Sequence, residues 1–78
     1  MADCSSEVRS IIARELGLDE KEVTTGALFG KDLGADSPDF LEIVVELEKH
    51  FDIAISDEEV EKLITVGLLI DHVNKKVA

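Results

Sequence analysis

Asp36-Ser37-Pro38-Asp39-Phe40-Leu41-Glu42-Ile43-Val44-Val45-Glu46-Leu47-Glu48-Lys49-His50-Phe51 is the stretch whose reading decides the fold. At roughly 100° per residue, Phe40, Ile43, Val44, Leu47 and Phe51 fall within about a third of a helix circumference, the width of a core-facing stripe. The segment therefore reads as a helix from about Pro38 to His50. Asp36 and Ser37 are capping residues, and Pro38 suits the first helical position. Because proline disfavours helical geometry in the residue before it, Ser37 is expected as an extended N-cap. Just upstream, Asp32-Leu33-Gly34-Ala35 forms a loop in which Gly34 can take a backbone angle that other residues avoid.

Three apolar residues on this helix are left over. Pro38, Leu41 and Val45 form a second stripe, centred more than roughly 120° from the first and bordered by Glu42, Glu46, Glu48 and Lys49. Two stripes need two destinations. The first is the interior, and the second is expected on a partner surface that begins beside Ser37 and is ringed mainly by carboxylates. A helix N-terminus also favours anions, so a phosphate ester on Ser37 would sit in favourable electrostatics.

Upstream, Val8, Ile11, Ile12 and Leu16 recur at helical spacing from Ser5 or Ser6, and Gly17 can end that helix in the left-handed conformation. Downstream, Ser56-Asp57-Glu58-Glu59 spells a capping box that opens a short helix before Val60, Leu63 and Ile64. Thr65 then caps a last helix. Its Val66, Leu69, Ile70 and Val73 face inward, and Lys75 and Lys76 end it with charge suited to a C-terminus. Between the first two helices lie about 20 residues without a strong period, long for a compact domain. Leu18, Val23, Leu28, Phe29 and Leu33 let this segment pack across the helices. The expectation is a single all-α domain over residues 1–78: a small four-helix bundle of three longer helices and one short one, with a long loop between helices 1 and 2.

A chain of 78 residues buries only about 60% of its unfolded surface, which leaves little core for an elaborate buried active site and disfavours an enzyme. The net charge of −10, from 18 acidic and 8 basic residues, argues against nucleic acid or an anionic membrane as partner and fits a basic protein surface. Cys4 is the only cysteine, so no intramolecular disulfide forms; it lies in a start expected to fray, and a reducing compartment is implied. No apolar run approaches the roughly 20 residues of a membrane span, and the first residues lack a signal-peptide pattern. A cytoplasmic monomer is expected, although a processed organellar protein would read the same. His50, near the end of the second helix, and His72, among solvent-facing positions of the last, read as surface residues, and neither is spaced to activate Ser37 as a nucleophile. Asp32, Asp36 and Asp39 lack the glycine and distal glutamate of a calcium loop, so no metal site is expected.

The run Asp32-Leu33-Gly34-Ala35-Asp36-Ser37 resembles the prosthetic-group attachment motif of acyl carrier proteins. The resemblance continues through Leu28-Phe29, Leu47-Glu48, Phe51-Asp52, Ile55-Ser56-Asp57-Glu58-Glu59 and Thr65-Val66, nearly the whole chain. It implies a non-catalytic carrier whose Ser37 is esterified by 4′-phosphopantetheine from coenzyme A through a separate phosphopantetheinyl transferase. Acyl intermediates of fatty acid, polyketide or related biosynthesis would ride on that arm as thioesters. It further implies that Asp36, Leu41, Glu42, Val45 and Glu48 meet basic docking patches on successive acyl-processing enzymes, the face that the stripe of Pro38, Leu41 and Val45 already marks for a partner.

Departures from the family pattern are Pro38, where leucine usually follows the serine, and Lys49 and His50, where acidic residues are common. Phe40 and Leu68-Leu69 are bulkier than the side chains often found there, which implies less room for a long acyl chain. Two alternatives stand beside the acyl carrier: an unmodified acidic helical adaptor with the same fold, and a peptidyl or D-alanyl carrier.

Overall fold

Val8, Ile11, Ile12 and Ala13 are all buried, and they turn one face of helix α1 (Ser5–Leu16) toward the interior. The helix stops at Gly17, whose φ of 67° is the left-handed angle that glycine adopts at little cost. Residues 3–77 are described by the computed structural model. After α1, a 3₁₀ turn (Glu20–Glu22) is capped by Asp19, which accepts the Lys21 N–H, while Glu22 accepts the Asp19 N–H. Arg9 fastens this turn to α1 by donating to the carbonyls of Val23 and Glu20, each at 2.8 Å.

Helix α2 (Ser37–Phe51) buries Ile43, Val44 and Leu47, with Phe40 and Phe51 half-buried at its ends, as the first stripe requires. It ends at Asp52, the one non-glycine residue with positive φ (54°) among those described. Helix α3 (Asp57–Val60) is a single turn, and helix α4 (Val66–Val77) buries Val66, Leu69, Ile70 and Val73. Three longer helices and one short one thus enclose a core whose largest fully buried side chains include Ile12, Ile43, Leu47 and Leu69. Among the described residues, no helix is long and apolar enough to cross a membrane.

The long loop between α1 and α2 is held by more than its apolar side chains. Phe29 N–H donates to the Ile64 carbonyl at 3.2 Å, Val66 N–H to Ala27 at 3.1 Å and Gly67 N–H to Thr25 at 2.8 Å. Leu28 and Thr65 form an antiparallel bridge in the middle of this ladder. The loop's polar main chain is thereby satisfied against the α3–α4 junction while Ala27, Phe29 and Leu33 enter the core.

Two expectations are corrected. Cys4 is not part of a frayed start: its side chain is 5% exposed and its N–H donates to Asn74 Oδ1 at 2.9 Å, which pins the chain's beginning to α4. Asn74 in turn donates to Asp3, closing the tie from the other side. His72 is half-buried, not a free surface residue, because the approach of α3 covers it. His50 does lie at the surface, where its Nε2 meets Glu7 Oε2 at 2.8 Å.

Candidate functional site

Ser37 is exposed at the first turn of α2, and the loop before it is built to hold it there. Asp32 accepts the Leu28 N–H at 2.8 Å, and the N–H groups of Asp32 and Leu33 both return to the Leu28 carbonyl. Ala35 N–H donates to Phe29 at 2.9 Å. Gly34 makes the reversal possible with a φ of 69°. The chain therefore reaches α2 on a loop closed at both ends.

The cap differs from expectation by one residue. Asp36, extended at φ −84° and ψ 178°, is the N-cap; Ser37 is the first helical residue and Pro38 the second. Asp36 N–H donates to Asp39 Oδ2 at 3.3 Å, and its carbonyl takes the Phe40 N–H at 3.0 Å. Those bonds start the helix one residue earlier than the proline rule suggests. Pro38 remains in the first turn, where its missing N–H leaves no intrahelical bond unmade. Crowding of the two carboxyls has an electrostatic consequence: the nearby Asp36 side chain holds the Asp39 carboxyl above the usual aspartate value.

Beside Ser37 opens an apolar cleft of about 340 Å³. One wall comes from the start of α2 (Ser37, Phe40, Leu41) and the other from the end of α3 and the turn after it (Val60, Leu63, Ile64). Phe29 and Ala35 from the long loop complete it, with Asp36 and Glu61 as its charged residues. Phe40 packs on Phe29 with ring centroids 4.7 Å apart and planes inclined at 57°. Neither His50 nor His72 lines this cleft, so no imidazole faces Ser37 from its walls.

On α2, Pro38, Leu41, Glu42 and Val45 are all exposed, with Leu41 at 51% and Val45 at 39%. The second stripe is therefore a surface stripe, and it starts beside Ser37. Glu48 is placed differently: it is half-buried, and Oε2 accepts the Ile55 N–H at 2.9 Å, bracing the segment after α2. Glu46 is half-buried and lies 3.9 Å from Lys49 Nζ.

Sequence reasoning missed the opposite wall. Ile64 is 58% exposed and shares the cleft with Leu41, which extends the apolar surface from α2 onto the α3–α4 junction. The signal was present, since Val60, Leu63 and Ile64 are more apolar residues than one turn of helix can bury. Residues 6–73 match the family model described as "Phosphopantetheine attachment site". A match over most of its length makes this chain a member of that family of carrier proteins, whose domain is the site of covalent 4′-phosphopantetheine attachment.

Proposed function

We propose that Ser37 is the residue that takes the 4′-phosphopantetheine arm and that the cargo is an acyl group. The observation that carries this reading is one exposed serine at a helix N-terminus, directly beside an apolar cleft of about 340 Å³. The residues fit the group. Ser37 presents an accessible hydroxyl, the α2 N-terminus favours the negative charge of a phosphodiester, and the loop from Leu28 to Asp36 fixes where the arm starts. Pro38 offers no amide to that phosphate, so the helix end contributes fewer donors than it otherwise would.

When bound, the arm supplies a terminal thiol that holds the cargo as a thioester. The chain's own part is to present, shelter and dock. Phe40, Leu41, Val60, Leu63 and Ile64 offer apolar surface next to the attachment point, which favours an acyl cargo over a peptidyl or D-alanyl one. Phe40 takes up space there, whereas Leu69 lies in the core and Leu68 is exposed, neither of them lining the cleft; on Phe40 the reading favours short or medium cargo over long. The stripe Pro38, Leu41 and Val45, with Asp36 and Glu42, is the docking face for a phosphopantetheinyl transferase and for acyl-processing enzymes that carry basic patches. Cytoplasmic fatty acid or polyketide biosynthesis is the setting this reading favours.

The test is intact mass after incubation with coenzyme A and a broad-specificity phosphopantetheinyl transferase. A gain of one phosphopantetheinyl group that disappears in Ser37→Ala is expected. No gain with several transferases would instead favour an unmodified acidic adaptor, a second reading that Pro38 supports because it alters the residue beside the serine.

A further inference from the structure

The charges on α2 are unequally available. By count, Asp39, Glu42, Glu46 and Glu48 make the helix acidic along its length, with Lys49 and His50 at its end. Three of these groups are engaged elsewhere or partly covered. Glu48 is half-buried and spent on the Ile55 N–H at 2.9 Å, His50 meets Glu7 of α1 at 2.8 Å, and Glu46 is half-buried. Lys49 differs: its side chain is 73% exposed, and Glu46 Oε2, 3.9 Å from Nζ, is too far to hold it by a hydrogen bond.

Direction matters as much as exposure. Seven residues separate Glu42 from Lys49, and at roughly 100° per residue the two return to within about 20° of one another, two turns and about 10 Å apart on one face. Val45 lies between them on that face, with Leu41 beside it, and both are exposed. At the Ser37 end, Asp36, Asp39 and Glu42 are exposed as well. The stripe is therefore acidic at its head, apolar in its middle and cationic at its foot. Asp52, the next charge along the chain, lies past the helix as its left-handed C-cap.

A cation in the last turn of a helix suits the dipole, which accounts for a lysine there but not for its place on the face that Leu41 and Val45 share. We propose that Lys49 is a specificity-determining residue of this face. The partner it fits is a protein that sets basic side chains against Asp36 and Glu42, apolar ones against Leu41 and Val45, and a carboxylate about 10 Å further along, against Lys49. The proposal rests on the stripe being the docking face, as read above, and narrows the class of partner. A patch basic along its whole length brings a like charge to Lys49 and is disfavoured. A carboxylate at that point fixes the register and direction in which α2 is seated.

Two synthetic helical peptides, stapled to hold their conformation and sharing one apolar stripe, are the probes. Both carry lysines at one end of the stripe; two turns on, one carries lysine and the other glutamate. Shifts of the α2 amides in the unloaded chain at low salt give each dissociation constant. The ratio of the two, glutamate peptide over lysine peptide, should rise about two- to fivefold in Lys49→Glu, the scale of an exposed ion pair. Lys49→Gln should fall between. Lys75→Glu makes the same change of net charge at an exposed position of α4 and should leave the ratio where it was. A ratio that does not move in Lys49→Glu, or that moves equally in Lys75→Glu, overturns the proposal, as does the absence of any α2 shift with either peptide. A less stable helix would weaken both peptides together and leave their ratio alone. Failure here leaves the Ser37 mass gain untouched, and failure of that mass gain leaves the peptide result standing.

Discussion

The ring of Phe40 rests on that of Phe29, 4.7 Å between centroids, so the helix that begins at Ser37 and the loop that delivers Ser37 are joined by one aromatic contact three residues beyond the serine. The pair lines the cleft from within. Removing Phe40 therefore acts on stability and on cargo space together. Phe40→Ala should cost about 1–3 kcal/mol, less than truncation of a fully buried phenylalanine. The same change should make long-chain acyl forms gain more in thermal midpoint than short-chain ones. Equal shifts for both chain lengths would count against a space-limiting role.

Glu42 and Glu48 differ in what they are free to do. Glu42 is exposed beside the Leu41 and Val45 stripe, whereas Glu48 is committed to the Ile55 N–H at 2.9 Å. Glu42→Lys should weaken binding to a basic partner at low salt with little change in thermal midpoint. Glu48→Lys should lower the midpoint as well. Calorimetric titration and melting of both variants separate the two effects.

Gly67 is required for space, since its backbone φ is ordinary. A Cβ there would lie 2.9 Å from the Thr25 carbonyl oxygen, the atom that accepts the Gly67 N–H. Gly67→Ala should push the loop off the α3–α4 junction and cost about 1–3 kcal/mol, as overpacking does. Denaturant melts measure the cost, and faster exchange of the Val66 and Phe29 amides would locate it.

Asp36→Asn should stabilise the start of α2 at neutral pH. Asp39's carboxyl is raised above 3.8, first by its contact with the Asp36 side chain. Its favourable contribution is present below that ordinary value and is lost as pH rises through the raised one. Asparagine caps as well as aspartate and removes the second carboxylate. The advantage of the variant should be largest near pH 7 and shrink as pH falls through the raised value toward 3.8. Thermal melts across that range provide the check.

Cys4 should react slowly with a thiol reagent in the native state. It is 5% exposed, and burial, followed by the carboxylates of Glu7 and Asp3, pushes its thiol up. A chain without the arm should show no fast thiol, and a chain bearing the unacylated arm one. Denaturant should expose Cys4 in both.

What the sequence made legible was local. Gly17 as a left-handed stop, the Ser56 to Glu59 box and the two stripes of α2 are each set by residues within a turn or two of one another, and the structure has all of them. The family resemblance also pointed to the matched domain. Less local features were hidden. Nothing near Cys4 in the chain announces Asn74, and the half-burial of His72 depends on where α3 lands. The N-cap moved to Asp36 because Asp39 competes for its N–H, a contest the proline rule does not weigh. The 3₁₀ turn was missed even though Asp19 and Glu22 carry its capping pattern. The cleft needed Ile64 to meet Leu41 across the fold, which no periodicity could state.

The Leu28 to Thr65 bridge has a consequence for the order in which the chain folds. Pairing residues so far apart must overcome loop-closure entropy, so such contacts form late, after local helical turns. The two walls of the cleft stand on opposite sides of that closure. Ser37 and the stripe of Leu41 and Val45 belong to α2 alone, whereas the far wall stands in place only where the loop and the α3–α4 junction meet. A change that opens this pairing is therefore expected to cost the chain its cleft before it costs the exposed serine.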